Sequence, residues 1–294
     1  MGEFLMREMT YLQPKDLGEA VRVLGEHEGR AKIIAGGTNL IPSMRSGEMA
    51  PEVVIDLASL SGFSDTREEG EAISIGALTT ISELISSEIV LRESPILSMA
   101  ASRLGNPLTR NRATIGGNLV DASPAADMAP PLLVLEASVH VIGAGGKGRE
   151  IPLDRFFQGP NQTALREDEI VTHIQFSKVK SPGWGSHIKL GLRNAMAISV
   201  VSIAVMLKME GDVCQKARVA LGAVAPKPLR AYRVEDVLEG TRIDSKTLDA
   251  CSSVVKEEIS PISDIRASST YRTQATGVLL RRAIAEALEK GRQG

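Results

Sequence analysis

Two glycine pairs, each following a β-prone apolar stretch, most constrain how this 294-residue chain can fold. Residues 33–39 read IIAGGTN and residues 114–118 read TIGGN. Glycine lets backbone N–H groups turn toward a ligand and approach it closely, as an anionic phosphate requires. Either pair alone is also explained as a tight connection between a strand and a helix. Two pairs flanked by small polar residues predict loops that hold a diphosphate from two sides.

Several other functions are excluded by what the sequence lacks. Neither glycine segment has the Lys and Ser/Thr of a nucleoside-triphosphate loop or the G-x-G-x-x-G pattern of a Rossmann dinucleotide site. The two cysteines and four histidines show no metal-ligand spacing, so no metal site is predicted in this chain. No G-x-S-x-G elbow supports Ser/His/Asp catalysis, so no catalytic residues are predicted either. A net charge of −2 argues against nucleic-acid binding. We find no signal peptide. The two cysteines do not require a disulfide, so the cytoplasm is the expected compartment.

The longest apolar run, residues 195–207, also fails as a membrane span. It is interrupted by two serines and is shorter than the roughly 20 residues that a transmembrane helix needs. Its β-branched, alternating character predicts a strand over 195–208 instead. A turn at 210–212 and a returning strand over 217–224 would complete a hairpin.

The order of predicted elements indicates an α+β chain of two parts. Apolar periodicity predicts a helix over 16–28, and short strands are predicted at 32–35, 53–56, 72–76 and 186–190. Further helices are predicted over 38–45, 94–104, 129–135, 231–239, 246–259 and 271–290. Residues 178–185 contain Ser-Pro-Gly and are the best linker candidate.

Three polar side chains are candidates for a site, each with a structural alternative. Asp127 could bind sugar or ribityl hydroxyls, or cap the helix predicted near Met128. Lys189 lies on a predicted strand, where a solvated position is the commoner case, but it could also reach a cofactor from the second domain. Arg193 could pair with a phosphate or with an acidic side chain at the domain interface.

Several sequence blocks together resemble a known family. They are residues 35–40 (AGGTNL), 114–119 (TIGGNL), 123–127 (SPAAD) and 220–226 (ALGAVAP), with Lys189-x-x-x-Arg193-x-Ala195 between the last two. Their order and spacing are similar to those of the FAD-binding medium subunits of molybdenum hydroxylases, the xanthine dehydrogenase and aerobic carbon monoxide dehydrogenase family. The resemblance extends over nearly the whole chain.

The resemblance implies a fold, a cofactor and a set of binding residues. The fold is a two-subdomain FAD-binding domain of the vanillyl-alcohol-oxidase (PCMH) type over residues 1–177, divided near residue 59. A smaller α+β domain of sheet and helices follows over 186–294. The FAD-binding residues implied are Ile34, Ala35, Gly36, Gly37, Thr38, Asn39, Leu104, Thr114, Ile115, Gly116, Gly117, Asn118, Asp127, Val171 and Lys189.

The same resemblance implies an oxidoreductase subunit that transfers electrons. It would take them from the [2Fe–2S] clusters of a small partner subunit and pass them to an acceptor such as NAD or another carrier. A large partner with a molybdenum cofactor would oxidise the substrate, in a dimer of heterotrimers. Asn39 replaces an Asp common in relatives, and Ala197-Ile198 replaces an Asp followed by an aromatic or small residue, so the acceptor is left open. A stand-alone FAD-dependent reductase of this fold and a flavin-free assembly module remain alternatives.

Overall fold

A small parallel sheet opens the structure, which is a computed structural model describing residues 8–27, 29–179 and 184–293. Its elements are β1 (Thr10–Leu12), α1 (Leu17–Glu26), β2 (Ala31–Ile34), α2 (Leu40–Ser46) and β3 (Val53–Asp56). The strands lie in the order β1-β3-β2, all parallel. Because the strands are parallel, their carboxyl ends lie at the same edge of the sheet. The first glycine segment leaves the sheet at that edge.

A second, antiparallel sheet follows in the chain. The elements of this part of the chain are β4 (Thr66–Glu69), β5 (Ala72–Gly76), α3 (Ile81–Ser86), α4 (Glu88–Glu93), α5 (Pro95–Ser102), α6 (Pro107–Arg110), α7 (Ile115–Val120), α8 (Ala129–Val134), β6 (Ser138–Ile142), β7 (Gly148–Pro152), α9 (Leu153–Phe156), β8 (Phe157–Gly159), β9 (Gln162–Thr163) and β10 (Ile170–Ser177). Strands β8 and β9 pair with each other as a separate two-stranded sheet. Five strands pair in the order β4-β5-β10-β6-β7. Apolar residues of this sheet and of the helices between its strands form one buried cluster. That cluster is the main core of the first domain.

The C-terminal part is a four-stranded antiparallel sheet with three helices. Its elements are β11 (Gly185–Leu190), β12 (Val201–Glu210), β13 (Val213–Gly222), β14 (Leu229–Arg230), α10 (Tyr232–Leu238), α11 (Ser245–Glu258) and α12 (Ser269–Gln293). Alternation along β12 divides its side chains between two cores: Ile203 and Val205 pack with the helices, whereas Ala204 and Met206 join the core of the first domain. Both faces of β12 are therefore buried, which explains its nearly continuous apolar sequence.

Most predicted elements are confirmed, with two differences, and one prediction falls partly outside the described residues. The strand predicted from residue 195 begins at Val201, because the preceding segment folds back across the first domain, where the Met196 amide donates to the Gly105 carbonyl (3.2 Å). The second glycine pair lies in the first turn of α7 rather than in a loop, because Thr114 caps that helix. The predicted linker at 178–185 falls partly on residues 180–183, outside the described residues.

Candidate functional site

The first glycine segment presents unpaired backbone donors. The amide N–H groups of residues 36–39 make no hydrogen bond to any described part of the chain. Gly37 has φ +71°, a left-handed conformation that permits this turn. The side chains of Thr38 and Asn39 are also without hydrogen bonds to described residues, and Asn39 is exposed. The segment therefore offers several donors on one short turn at the carboxyl edge of the parallel sheet.

The second glycine segment is close to the first, but its donors are used internally. A Cβ on Gly36 would overlap the carbonyl oxygen of Arg112, so the two backbones are in direct contact there. The amides of Ile115 and Gly116 donate to the carbonyls of Thr79 (3.0 Å) and Ala77 (2.9 Å). The remaining two, at residues 117 and 118, donate to the side chain and the carbonyl of Thr114 (3.1 and 3.0 Å). The amides of this segment are therefore taken up within the protein and, unlike those of the first segment, do not face a ligand unpaired.

Asp127 and Lys189 form a buried ion pair between the two domains. Lys189 Nζ donates to Asp127 Oδ2 (2.7 Å) and to the Arg103 carbonyl (3.1 Å), and Ser199 Oγ donates to Asp127 Oδ1 (3.0 Å). The Lys189 and Asp127 side chains are only 7% and 12% exposed. Burial raises the pKa of the Asp127 carboxyl, and the Lys189 ammonium opposes that rise. The geometry fixes both side chains at the domain interface.

These contacts exclude the structural alternatives considered for both residues. Asp127 does not cap α8, whose N-cap residue is Met128 with no side-chain hydrogen bond. Lys189 is not a solvated surface cation, because it points from β11 into the first domain. Arg193 pairs with no acidic side chain in the described residues; its guanidinium donates to the Met196 carbonyl (2.7 and 3.2 Å).

Comparison with known proteins identifies the family of this chain. Residues 7–177 match the family model of the FAD binding domain in molybdopterin dehydrogenase, and residues 186–287 match the CO dehydrogenase flavoprotein C-terminal domain. The chain belongs to the flavoprotein subunits of the molybdenum hydroxylase family. The expected family, the oxidoreductase class and the fold class are thereby confirmed.

Individual relatives are similar to this flavoprotein subunit over almost their whole length. The carbon monoxide dehydrogenase medium chain of Hydrogenophaga pseudoflava is 33% identical, over 93% of this chain and 95% of its own. The xanthine dehydrogenase FAD-binding subunit of Escherichia coli O157:H7 is 31% identical, over 95% and 96%. A solved carbon monoxide dehydrogenase from Hydrogenophaga pseudoflava, lacking the Mo-pyranopterin moiety of its cofactor, superimposes with a TM-score of 0.94 at 32% identity, covering 97% of this chain and 99% of that one.

The remaining predicted residues of the flavoprotein subunit surround the same region. Leu104 is buried at the end of α5, directly after the carbonyl that Lys189 contacts. Val171 is buried on β10, and the next carbonyl, that of Thr172, accepts from the amide of Ala77 (2.9 Å), which in turn contacts Gly116. Ile34 and Ala35 are half-buried at the end of β2. The structure thus brings the predicted residues to one region.

Sequence reasoning missed Ser199 and the backbone of Arg103. Ser199 was visible only as one of the serines interrupting the apolar run at 195–207, and it is 2% exposed. A buried serine within an apolar segment needs a polar partner, which here is Asp127. No sequence signal indicates a carbonyl as a ligand of Lys189.

No helix in the described residues is long and apolar enough to cross a membrane.

Proposed function

We propose that the chain is the FAD-carrying electron-transfer subunit of a molybdenum-containing hydroxylase. It takes electrons from the [2Fe–2S] clusters of a small partner subunit and passes them to an external acceptor such as NAD or another carrier. A large partner with the molybdenum cofactor oxidises the substrate, in a cytoplasmic dimer of heterotrimers. Support comes from similarity along nearly the whole chain to medium subunits of this kind.

The observation that carries the proposal is the row of unpaired amides at residues 36–39. A diphosphate needs convergent N–H donors, and these lie where ligands bind in open sheets, beyond the carboxyl ends of parallel strands. The Gly36 backbone lies against the Arg112 carbonyl, so only glycine fits at this position of the segment. The residues present therefore fit FAD.

Each group of residues has a distinct proposed task. Residues 34–39 bind the diphosphate, and residues 114–118 form the wall opposite them. Asp127 orients the sugar or ribityl portion, held by Lys189 and Ser199, while Leu104 and Val171 exclude water from the apolar part of the site. When bound, FAD supplies the redox chemistry that amino-acid side chains lack. We assign FAD binding to residues 1–177, with Lys189 contributed by the domain over 186–294.

Flavin retention tests the proposal. The full chain, reconstituted with FAD and desalted, is expected to keep its flavin absorbance. Asn39→Ala should weaken retention, because the exposed amide beside the open donors is lost, and Ser46→Ala, at the far end of α2, should not. A wild-type chain that elutes without flavin contradicts the proposal. Turnover of NADPH with a small substrate by the isolated chain would favour the stand-alone reductase instead.

A further inference from the structure

We propose that His187 makes the contact between the two domains sensitive to pH, so that acid weakens the docking of the C-terminal domain on the first. His187 lies on β11, the edge strand of the C-terminal sheet. This sensitivity is a property of the chain itself and does not depend on the proposed FAD binding.

The side chain of His187 lies at the interface between the domains. The preceding residue, Ser186, donates its hydroxyl to the Ala283 carbonyl of α12 (2.6 Å), so by strand alternation His187 is on the opposite face. The first domain covers that face, because Ala204, the cross-strand partner of His187, belongs to the first domain's core. Arg103, directly after α5, donates to the His187 carbonyl (2.7 Å). His187 is therefore enclosed where the first domain holds β11.

The imidazole of His187 is buried without a hydrogen bond. The residue is 1% exposed, and neither Nδ1 nor Nε2 has a partner among the described residues. Most buried polar side-chain atoms are hydrogen-bonded, so an imidazole with two unpaired nitrogens is an exception. A neutral ring tolerates this burial far better than an imidazolium, which carries a charge and needs acceptors for two N–H groups. The enclosure thus selects the neutral form.

The charges acting on the His187 imidazole also oppose protonation. They belong to Arg103, Lys189 on the same strand, and Lys290 on α12. Lys290 extends from α12 to α5, where its Nζ contacts Met99 Sδ (3.3 Å). Burial, followed by repulsion from these three cations, lowers the pKa of His187 from 6.5 to about 3.

No acidic side chain in the described residues bonds to the imidazole. Helix α5 contains no acidic residue, and residues 201–206 of β12, which pair with β11, include no ionisable side chain. On α12, Glu286 and Glu289 make no hydrogen bond to the ring. Across the interface, Asp127 bonds with Lys189 and Ser199 instead. Burial raises the pKa of Asp127, so its protonation favours the closed arrangement as the pH falls, opposite in sign to the effect proposed.

Proton uptake on opening follows from this environment. When the domains separate locally at β11, the imidazole reaches water and regains its ordinary pKa of about 6.5. Below that pH the open form binds a proton that the closed form excludes, so the closed form loses stability as the pH falls. Above it the imidazole is neutral in both forms, and docking is at full strength. Between about pH 7.5 and about pH 5.5, one such proton raises the opening equilibrium constant about tenfold.

Hydrogen exchange of the β11 amides in the full chain tests the proposal. After correction for intrinsic exchange rates, the wild-type opening constant of β11 should rise about tenfold between about pH 7.5 and about pH 5.5. His187→Leu and His187→Asn cannot take up this proton, so each should abolish the rise. Comparing the two pH values within one variant cancels any change in its overall stability. A wild-type constant that does not change, or a rise that persists in both variants, overturns the proposal.

His173→Gln is the matched control. Burial also lowers the pKa of His173, but this residue lies on β10 of the five-stranded sheet in the first domain. The pH response of β11 should keep its full size in this variant. Its loss there as well would show that β11 exchanges only when the whole chain unfolds, which overturns a local opening between the domains.

Discussion

The two glycine segments have almost the same local sequence but opposite hydrogen-bonding states. Residues 36–39 have four amides without a hydrogen bond to the described residues, whereas all four amides of residues 115–118 donate within the protein. The difference arises from their neighbours, because the carbonyls of Thr79 and Ala77 lie opposite the second segment. A Gly-Gly pair thus permits close backbone approach, and the surrounding chain decides whether a ligand or the protein itself takes the donors. The site has an open side and a closed side.

The largest stability loss is expected at the buried ion pair of Asp127 and Lys189. Lys189→Met leaves the Asp127 carboxylate buried without its cation and should lower the free energy of unfolding by about 3 kcal/mol in chemical denaturation. Adding Asp127→Asn should recover part of that loss. If the single variant is as stable as wild type, the pair does not stabilise the domain interface.

Gly36→Ala should cost the next most, although it lies on the open side. Its Cβ would overlap the Arg112 carbonyl, and relieving that overlap requires a backbone shift costing about 2 kcal/mol. Thermal denaturation measures the effect. Gly25→Ala on α1, where the nearest atom would be 3.5 Å away, is the matched control and should be neutral or stabilising. Equal melting temperatures for both variants would show that the segments do not touch.

Thr114→Val tests the cap of the closed segment. Without the hydroxyl, the Gly117 amide loses its acceptor, and the free energy of unfolding should fall by about 1 kcal/mol. Restoration by Thr114→Ser, which keeps the hydroxyl, would assign the loss to the cap rather than to packing.

Thr38→Val is expected to have the smallest effect on stability. Its hydroxyl makes no hydrogen bond to described residues, so the free energy of unfolding of the apoprotein should lie within about 0.5 kcal/mol of the wild-type value. FAD affinity, measured by flavin fluorescence titration, should nevertheless fall roughly tenfold. Destabilisation without a change in affinity would remove the distinction between the open and closed sides.

Local patterns predicted the individual elements well. The strands at 53–56 and 72–76 agree residue for residue, and α1 begins directly after Asp16, whose side chain accepts from the Glu19 amide (2.8 Å). Apolar period, capping residues and turns act over a few positions, so one sequence is sufficient for them. The strand predicted from residue 195 failed because contacts with Gly105 and Asn106 outweigh its β propensity.

The sequence by itself determined the family and the residue types at the site, and it predicted part of the elements; of the five strands in the antiparallel sheet of the first domain it predicted only β5. Tertiary structure decided which glycine pair keeps its donors unpaired, and that Asp127 bonds with Lys189 and Ser199 rather than capping a helix. The physical reason is the distance between these partners along the sequence. These partners lie 62 and 72 positions apart in the chain, so only packing of one domain against the other brings them within a hydrogen bond of each other.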